Sequence, residues 1–142
     1  MMARIRDGNN AKPPRNLIDL VSKAREAQLR REDRVPREFK AGEVIIEPDS
    51  LRRALTRLSG ERVEDTLLAE AGDSALLIEK FRGGKAEHNE ESLAAQIGVK
   101  LTELKAAARP LVELGFLEQV GETYKVPMLY RDGLEITQGK AF

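Results

Sequence analysis

In the stretch PRNLIDLVSKAREAQLRRED, the apolar residues Leu17, Leu20, Val21 and Ala24, followed by Gln28, recur at helical spacing, with Ile18 beside them. The spacing predicts an amphipathic helix over 14–33 with Pro14 in its first turn, where a missing N–H costs nothing. Its second half, REAQLRRED, is mostly charged and reads as solvated. The preceding residues 1–13 are polar, and Gly8, Asn9 and Asn10 mark a turn or a disordered lead-in. RVPREFKAGE reads as a connector punctuated by Pro36 and Gly42, and EVIIEP as a short extended stretch. Asp49 or Ser50 caps the next predicted helix, with Leu51, Ala54, Leu55 and Leu58 on one face. Ser59 and Gly60 are expected to interrupt it, and ERVEDTLLAEA to continue as a short helix that Gly72 ends.

The pattern then changes. Asp73 or Ser74 starts a helix through ALLIEKF, and FRGGKAEH reads as a loop. Asn89 caps a second helix, with Glu90 and Glu91 in the first turn where the helix dipole favours them, and Gly98 ends it. Thr102 is expected to cap a third helix, Leu101 and Ala106 to form a hydrophobic staple, and Gly115 to close it. Pro110 falls inside this helix, where a proline kinks or loosens a turn. Gly121-Glu122 suits a two-residue hairpin turn. That turn sets Leu117 opposite Val126, Glu118 opposite Lys125, Gln119 opposite Tyr124 and Val120 opposite Thr123. Leu117, Tyr124 and Val126 then share a face, and Glu118 and Lys125 form an opposite-charge pair on the other. The predicted fold is mainly α: a helical segment over 1–72 with a disordered start, then a winged helix-turn-helix with a small β-hairpin over 73–142.

Composition narrows the function. The chain has 142 residues, 41% hydrophobic and 34% charged, with no Trp and no Cys. The lack of Cys removes disulfides, thiolate metal sites and a cysteine nucleophile. No apolar run is long enough to span a bilayer and the N-terminus lacks a signal peptide's apolar segment, so a cytoplasmic location without membrane contact is the default. The zero net charge hides an asymmetry: residues 1–40 carry 11 Lys/Arg against 6 Asp/Glu, and residues 41–142 carry 13 against 18. Residues 74–142 hold 9 basic and 10 acidic side chains. Duplex DNA binding draws much of its affinity from phosphate neutralisation, and this segment has no cationic surplus for it.

A helix that reads DNA presents side chains able to reach base edges. The third helix offers Lys105 and Arg109, four apart and so on one face, and the hairpin offers Lys125. Against them stand Glu103 near the helix start, where recognition helices usually touch bases, and Glu122 at the wing tip. The basic side chains Arg25, Arg30, Arg31 and Arg34 of the first helix are a further source of phosphate contacts. The single histidine, His88, cannot build a multi-histidine metal site and reads as an exposed loop residue; no metal ligand set is expected. Glu90 and Glu91 are more simply dipole-favoured than catalytic. FRGGK lacks the spacing of a phosphate loop. Arg15, behind two prolines at a helix N-terminus, is placed to hold an anion beside the positive helix end.

RIRDGNNAKPPRNLIDLVSKAREAQ, with the later SLAAQIGVKLTELKAAARPLVELGFLE and YKVPMLYRDGLEITQGKAF, resembles the C-terminal part of bacterial P-loop ATPases of the AAA+/STAND kind. In those proteins a nucleotide-binding core is followed by a helical lid and a winged helix. The resemblance implies that Arg15 matches the sensor-2 arginine, which contacts nucleotide phosphates. The chain departs from the family in having no GxxxxGK[ST] and no apolar strand ending in paired acids. It is therefore expected to be a non-catalytic C-terminal fragment that does not hydrolyse ATP, with no cofactor of its own; ATP and Mg²⁺ belong to the parent ATPase. The expected function is a regulatory or protein-interaction module whose partner is another protein or its own ATPase core. The alternative is a DNA-binding winged-helix transcriptional regulator using Lys105, Arg109 and the wing.

Overall fold

The computed structural model describes residues 1–142. The chain is mainly helical with a small mixed sheet of four strands, and it divides into two compact units. One is Pro13–Leu58; the other joins Met1–Lys12 to Ser59–Phe142. The division differs from a boundary at residue 72, because the first twelve residues and residues 59–72 group with the sheet.

Within 13–58, helix α1 (Pro14–Arg34) begins at the proline pair, as its sequence predicts. Leu20 and Ala24 are buried, while Ile18 and Val21 remain largely exposed. Helix α2 (Pro48–Glu61) follows. The two are joined through a buried polar residue, Gln28. Its Oε1 accepts from the Ser50 hydroxyl at 2.8 Å and the Glu47 N–H at 3.0 Å. Its Nε2 donates to Glu32 at 2.9 Å and Glu47 at 3.1 Å. Every polar atom of the side chain is thus satisfied, as burial requires. The connector between the helices is pinned by Arg37, which donates to the Val44 and Ile45 carbonyls at 2.9 Å each and lies 4.2 Å from the centre of the Phe39 ring. EVIIEP forms no strand: its carbonyls are taken by this guanidinium, and Val44 and Ile45 stay exposed.

Helix α2 does not stop at Ser59-Gly60. It runs to Glu61 and continues as a π-helical turn, Arg62–Leu67, and the short helix α3 (Leu68–Ala71). The cost of one helical glycine is about 1 kcal/mol, and burial of Val63 and Leu67 outweighs it. Ser59 is buried and accepts from the Gly133 N–H at 2.8 Å. Next come α4 (Ala75–Glu79), strand β1 (Lys85–Asn89), α5 (Glu90–Ile97), a 3₁₀ turn at Leu101–Glu103 and α6 (Leu104–Glu113). Strands β2 (Glu118–Val120) and β3 (Thr123–Lys125), helix α7 (Met128–Arg131) and β4 (Thr137–Lys140) complete the chain.

The strand order is β2-β3-β1-β4. β1 pairs antiparallel with β3 and parallel with β4, so the segment expected as a loop supplies the strand with neighbours on both edges. Beside it, four rings form a chain: His88–Phe81 at 5.6 Å, Phe81–Phe116 at 5.0 Å and Phe116–Tyr130 at 6.1 Å between centroids.

The N-terminal residues are not a free lead-in. Ile5 is buried, and the Asp7 carboxylate accepts from the Asn9 and Ala11 N–H groups at 3.0 and 2.8 Å. This turn offers the Gly8 N–H to the Gly115 carbonyl at 2.7 Å and the Asn9 amide to the Glu113 carbonyl at 3.0 Å. Both acceptors lie at the C-terminal end of α6, where carbonyls have no partner within the helix. A Cβ on Gly8 would stand 2.7 Å from the Leu117 carbonyl oxygen, a backbone atom that cannot swing away.

Two stability measurements follow. Gly8→Ala should lower the unfolding free energy by about 1–3 kcal/mol, the usual cost of forcing extra volume into a packed contact, as read from urea denaturation. Gln28→Leu should cost about 1–3 kcal/mol by the same measurement, because it leaves the Ser50 hydroxyl and the Glu47 N–H without their acceptor. A change below about 0.5 kcal/mol, the range of an ordinary surface substitution, would show in either case that the contact is not made in solution.

Candidate functional site

Helix α5 is closed at both ends by local chemistry. Asn89 Oδ1 accepts from the Ser92 N–H at 2.8 Å and Ser92 Oγ from the Asn89 N–H at 3.0 Å. At the other end Gly98 takes the left-handed conformation, φ +76°, which glycine adopts without a Cβ penalty. Lys80 Nζ also donates to the Ile97 carbonyl at 2.7 Å. The chain then turns into α6. Its cap lies earlier than Thr102: Glu103 accepts from the Lys100 N–H, so a 3₁₀ turn precedes the helix. The helix continues through Pro110 to Glu113. Leu104, Ala108 and Leu111 are buried on one face, which turns Lys105 and Arg109 outward.

The hairpin has the predicted register: Glu118 faces Lys125, Gln119 faces Tyr124 and Val120 faces Thr123. Leu117, Tyr124 and Val126 are buried together with the core, as the alternation requires. The Glu118–Lys125 ion pair, however, does not form. Lys125 Nζ lies 3.8 Å from Glu87 of β1, and Glu118 lies 3.8 Å from Arg6. The third strand and the N-terminal segment bring competing charges to both members.

Helix and hairpin enclose a cleft of about 340 Å³, with Lys105, Arg109 and Glu113 on the helix side and Gln119 and Tyr124 on the hairpin side. Arg109 Nε is bound to Glu113 at 2.8 Å. Burial, with Glu90 adding to it, raises the Tyr124 phenol above its ordinary range, so its hydroxyl stays protonated. Lys125 is not part of this cleft. It lines a second one, of about 300 Å³, on the other side of the hairpin with Arg6, Glu118 and Arg131. The three cations read from sequence are therefore divided between two clefts. Strand parity carries the signal for this, since Lys125 alternates with Tyr124. Arg6 is not legible as a member of this cleft, because its ion-pair partner, Glu118, is distant in sequence. Apolar side chains stand exposed at both ends of the face: Leu101 before α6 (53%) and Val120 at the wing (59%).

Arg15 stands at the second position of α1 with its side chain 82% exposed, and its Nε lies 3.8 Å from Asp19 one turn on. His88 is fully buried rather than exposed. In β1 it points to the same face as Ala86, and it sits opposite Tyr124 in the ladder. Its Nε2 lies 3.0 Å from the Lys85 carbonyl, to which it donates, and its Nδ1 lies 3.4 Å from Ser92 Oγ.

Comparison of the chain with protein-family models, with curated proteins and with solved structures finds no match in any of the three. No helix is long and apolar enough to cross a membrane.

Burial lowers the His88 pKa below its ordinary 6.5, against the smaller opposing effect of its two hydrogen bonds. The folded state thus favours neutral imidazole. Its contribution to stability is complete above pH 6.5 and is lost as the pH falls below that, down to the folded-state value. Unfolding free energy should therefore fall more steeply with acidification in the wild type than in His88→Gln. The added slope should not exceed about 1.4 kcal/mol per pH unit, the limit for one proton. Parallel pH profiles would contradict the buried neutral histidine.

Proposed function

We propose that α4–β1–α5–α6–β2–β3 is a winged helix used as a non-catalytic protein-interaction module, with the α6–hairpin face as its docking surface. The order helix, strand, helix, helix, hairpin, with β1 paired to β3, supports the winged-helix reading. The charge balance of the face carries the functional one. Lys100, Lys105 and Arg109 are offset by Glu103, Glu113 and Glu122, and Arg109 is held by a carboxylate. A DNA-reading face needs a surplus of cations to displace counterions. This one is neutral, and it is bordered by the exposed Leu101 and Val120, which suit the mixed apolar and polar contacts of a protein interface. The sequence pattern of lid helix followed by winged helix supports a place beside the nucleotide-binding core of a P-loop ATPase, as a regulatory segment of a nucleotide-dependent switch.

One observation favours the alternative, a DNA-binding regulator: Lys105, in the first turn of α6, is exposed and has no carboxylate partner. Fluorescence anisotropy with duplex DNA at about 0.15 M salt separates the two. The interaction module should bind no tighter than the non-specific range, about 10⁻⁴–10⁻⁶ M, and Lys105→Ala with Arg109→Ala should change that by less than about twofold. A photo-crosslinking residue at Ala106 should give a discrete protein adduct in the native host that Leu101→Asp removes. Tighter DNA binding, lost in the Lys105/Arg109 double variant, would reverse the assignment.

A further inference from the structure

A third cleft, of about 410 Å³, lies within residues 13–58, between α1 and α2. Its lining is heavily cationic. Lys23, Arg30, Arg31 and Arg34 come from α1, Arg53 and Arg57 from α2, and Asp49 is the single acid among them. On α1 these positions recur along one face from Lys23 to Arg34, a length of about 16 Å at a rise of about 1.5 Å per residue. On α2, Asp49, Arg53 and Arg57 are spaced four apart and line the opposite wall.

The carboxylates nearby are already engaged. Asp49 is shared by Arg31 at 3.4 Å, Arg52 at 3.6 Å and Arg53 at 3.2 Å. Glu47 is held by Arg31 at 2.9 Å, and Glu26 by Arg57 at 2.9 Å. Arg30 and Arg34 have neither an ion pair nor a hydrogen bond of their side chains, although they stand one turn apart on the cleft wall. Their guanidinium groups, about five N–H donors each, are unused and repel the other cations. Protein folding alone gives no reason to gather them there.

We infer that this cleft is a binding site for an oligophosphate, either a free chain or the triphosphate tail of a nucleotide. Guanidinium forks match phosphate oxygens in pairs. The volume lies at the small end of ligand sites, about 300–1,000 Å³, so a ligand that offsets the cations left over there, Arg30 and Arg34 above all, must carry several charges in little space. Linked phosphates do so. A polymer bound from one side would leave half the cations unused, and no aromatic side chain lines the cleft to stack a base. The site is independent of the α6–hairpin face, since all its residues belong to the other unit.

Calorimetric titration of the full chain with sodium tripolyphosphate, at about 0.15 M salt, tests this. Tripolyphosphate should bind at least about tenfold more tightly than sulfate and raise the melting temperature, as any ligand of the folded state does. Arg30→Ala with Arg34→Ala should weaken binding at least about tenfold, since charged hydrogen bonds are among the stronger ones. Because both residues are solvent-facing and without partners, the ligand-free melting temperature should not change. Arg25→Ala, on the same helix but outside the cleft, should leave the affinity within about twofold. ATP binding as well as tripolyphosphate identifies the phosphate chain as the recognised part, and tighter ATP binding adds a nucleoside contact. The inference fails if tripolyphosphate binds no better than sulfate or if Arg25→Ala weakens binding as much as the Arg30/Arg34 pair. It also fails if duplex DNA or polyglutamate binds with higher affinity per site than tripolyphosphate.

Discussion

Strand β1 is the constraint on which the larger unit depends. A strand with neighbours on both sides must satisfy its N–H and C=O groups in two directions, and β1 does so by joining β3 and β4, which no other element connects. Asn89, its last residue, is also the cap of α5. The sheet therefore fixes where that helix starts, and Gly98 fixes where it stops. α6 then begins within a few residues, with little freedom in direction. On the other edge of β1 the ladder to Tyr124 holds the hairpin against the same helices. The face formed by α6 and the hairpin thus has its geometry set from within the core.

What sequence could say about this follows from how local each signal is. The start of α1, the Asn89 cap, the Gly98 stop and the hairpin register are encoded within a few residues of where they act, and each is found where the pattern places it. β1 is not so encoded. Its core-facing residues are Ala86 and His88, one small and one polar, so KAEHN shows no apolar alternation; only pairing with β3 and β4 makes it a strand. The same holds for the N-terminal turn, whose polar DGN carries no sign of the carbonyls it meets. The candidate site divides in the same way. Helical spacing places Lys105 and Arg109 together, but the charges that bind Lys125 and Glu118 come from elements far along the chain.

The unit of residues 13–58 is built on different physics. Its interior contains few large apolar groups, and its centre is an amide, Gln28, three of whose four hydrogen bonds tie α1 to the start of α2. A buried polar group of this kind tolerates few arrangements, so the relative register of the two helices is tightly defined even though little apolar surface is buried. That register brings the arginines of α2 opposite those of α1. Half of this pattern is visible in the basic run of the first helix; the other half exists only once the helices are side by side.

The turn at Asp7–Asn9 bears on how the chain is made. Asn9 reaches a carbonyl 104 residues further along. At about 5–20 residues per second on the ribosome, the first twelve residues are synthesised some seconds before the end of α6 exists. In that interval α1 and α2 emerge in full and are free to pair, whereas the older segment must wait. Order of synthesis and order of assembly thus differ for this part of the molecule: residues 1–12 precede α1 and α2 in the chain but can dock only after α6 has been made.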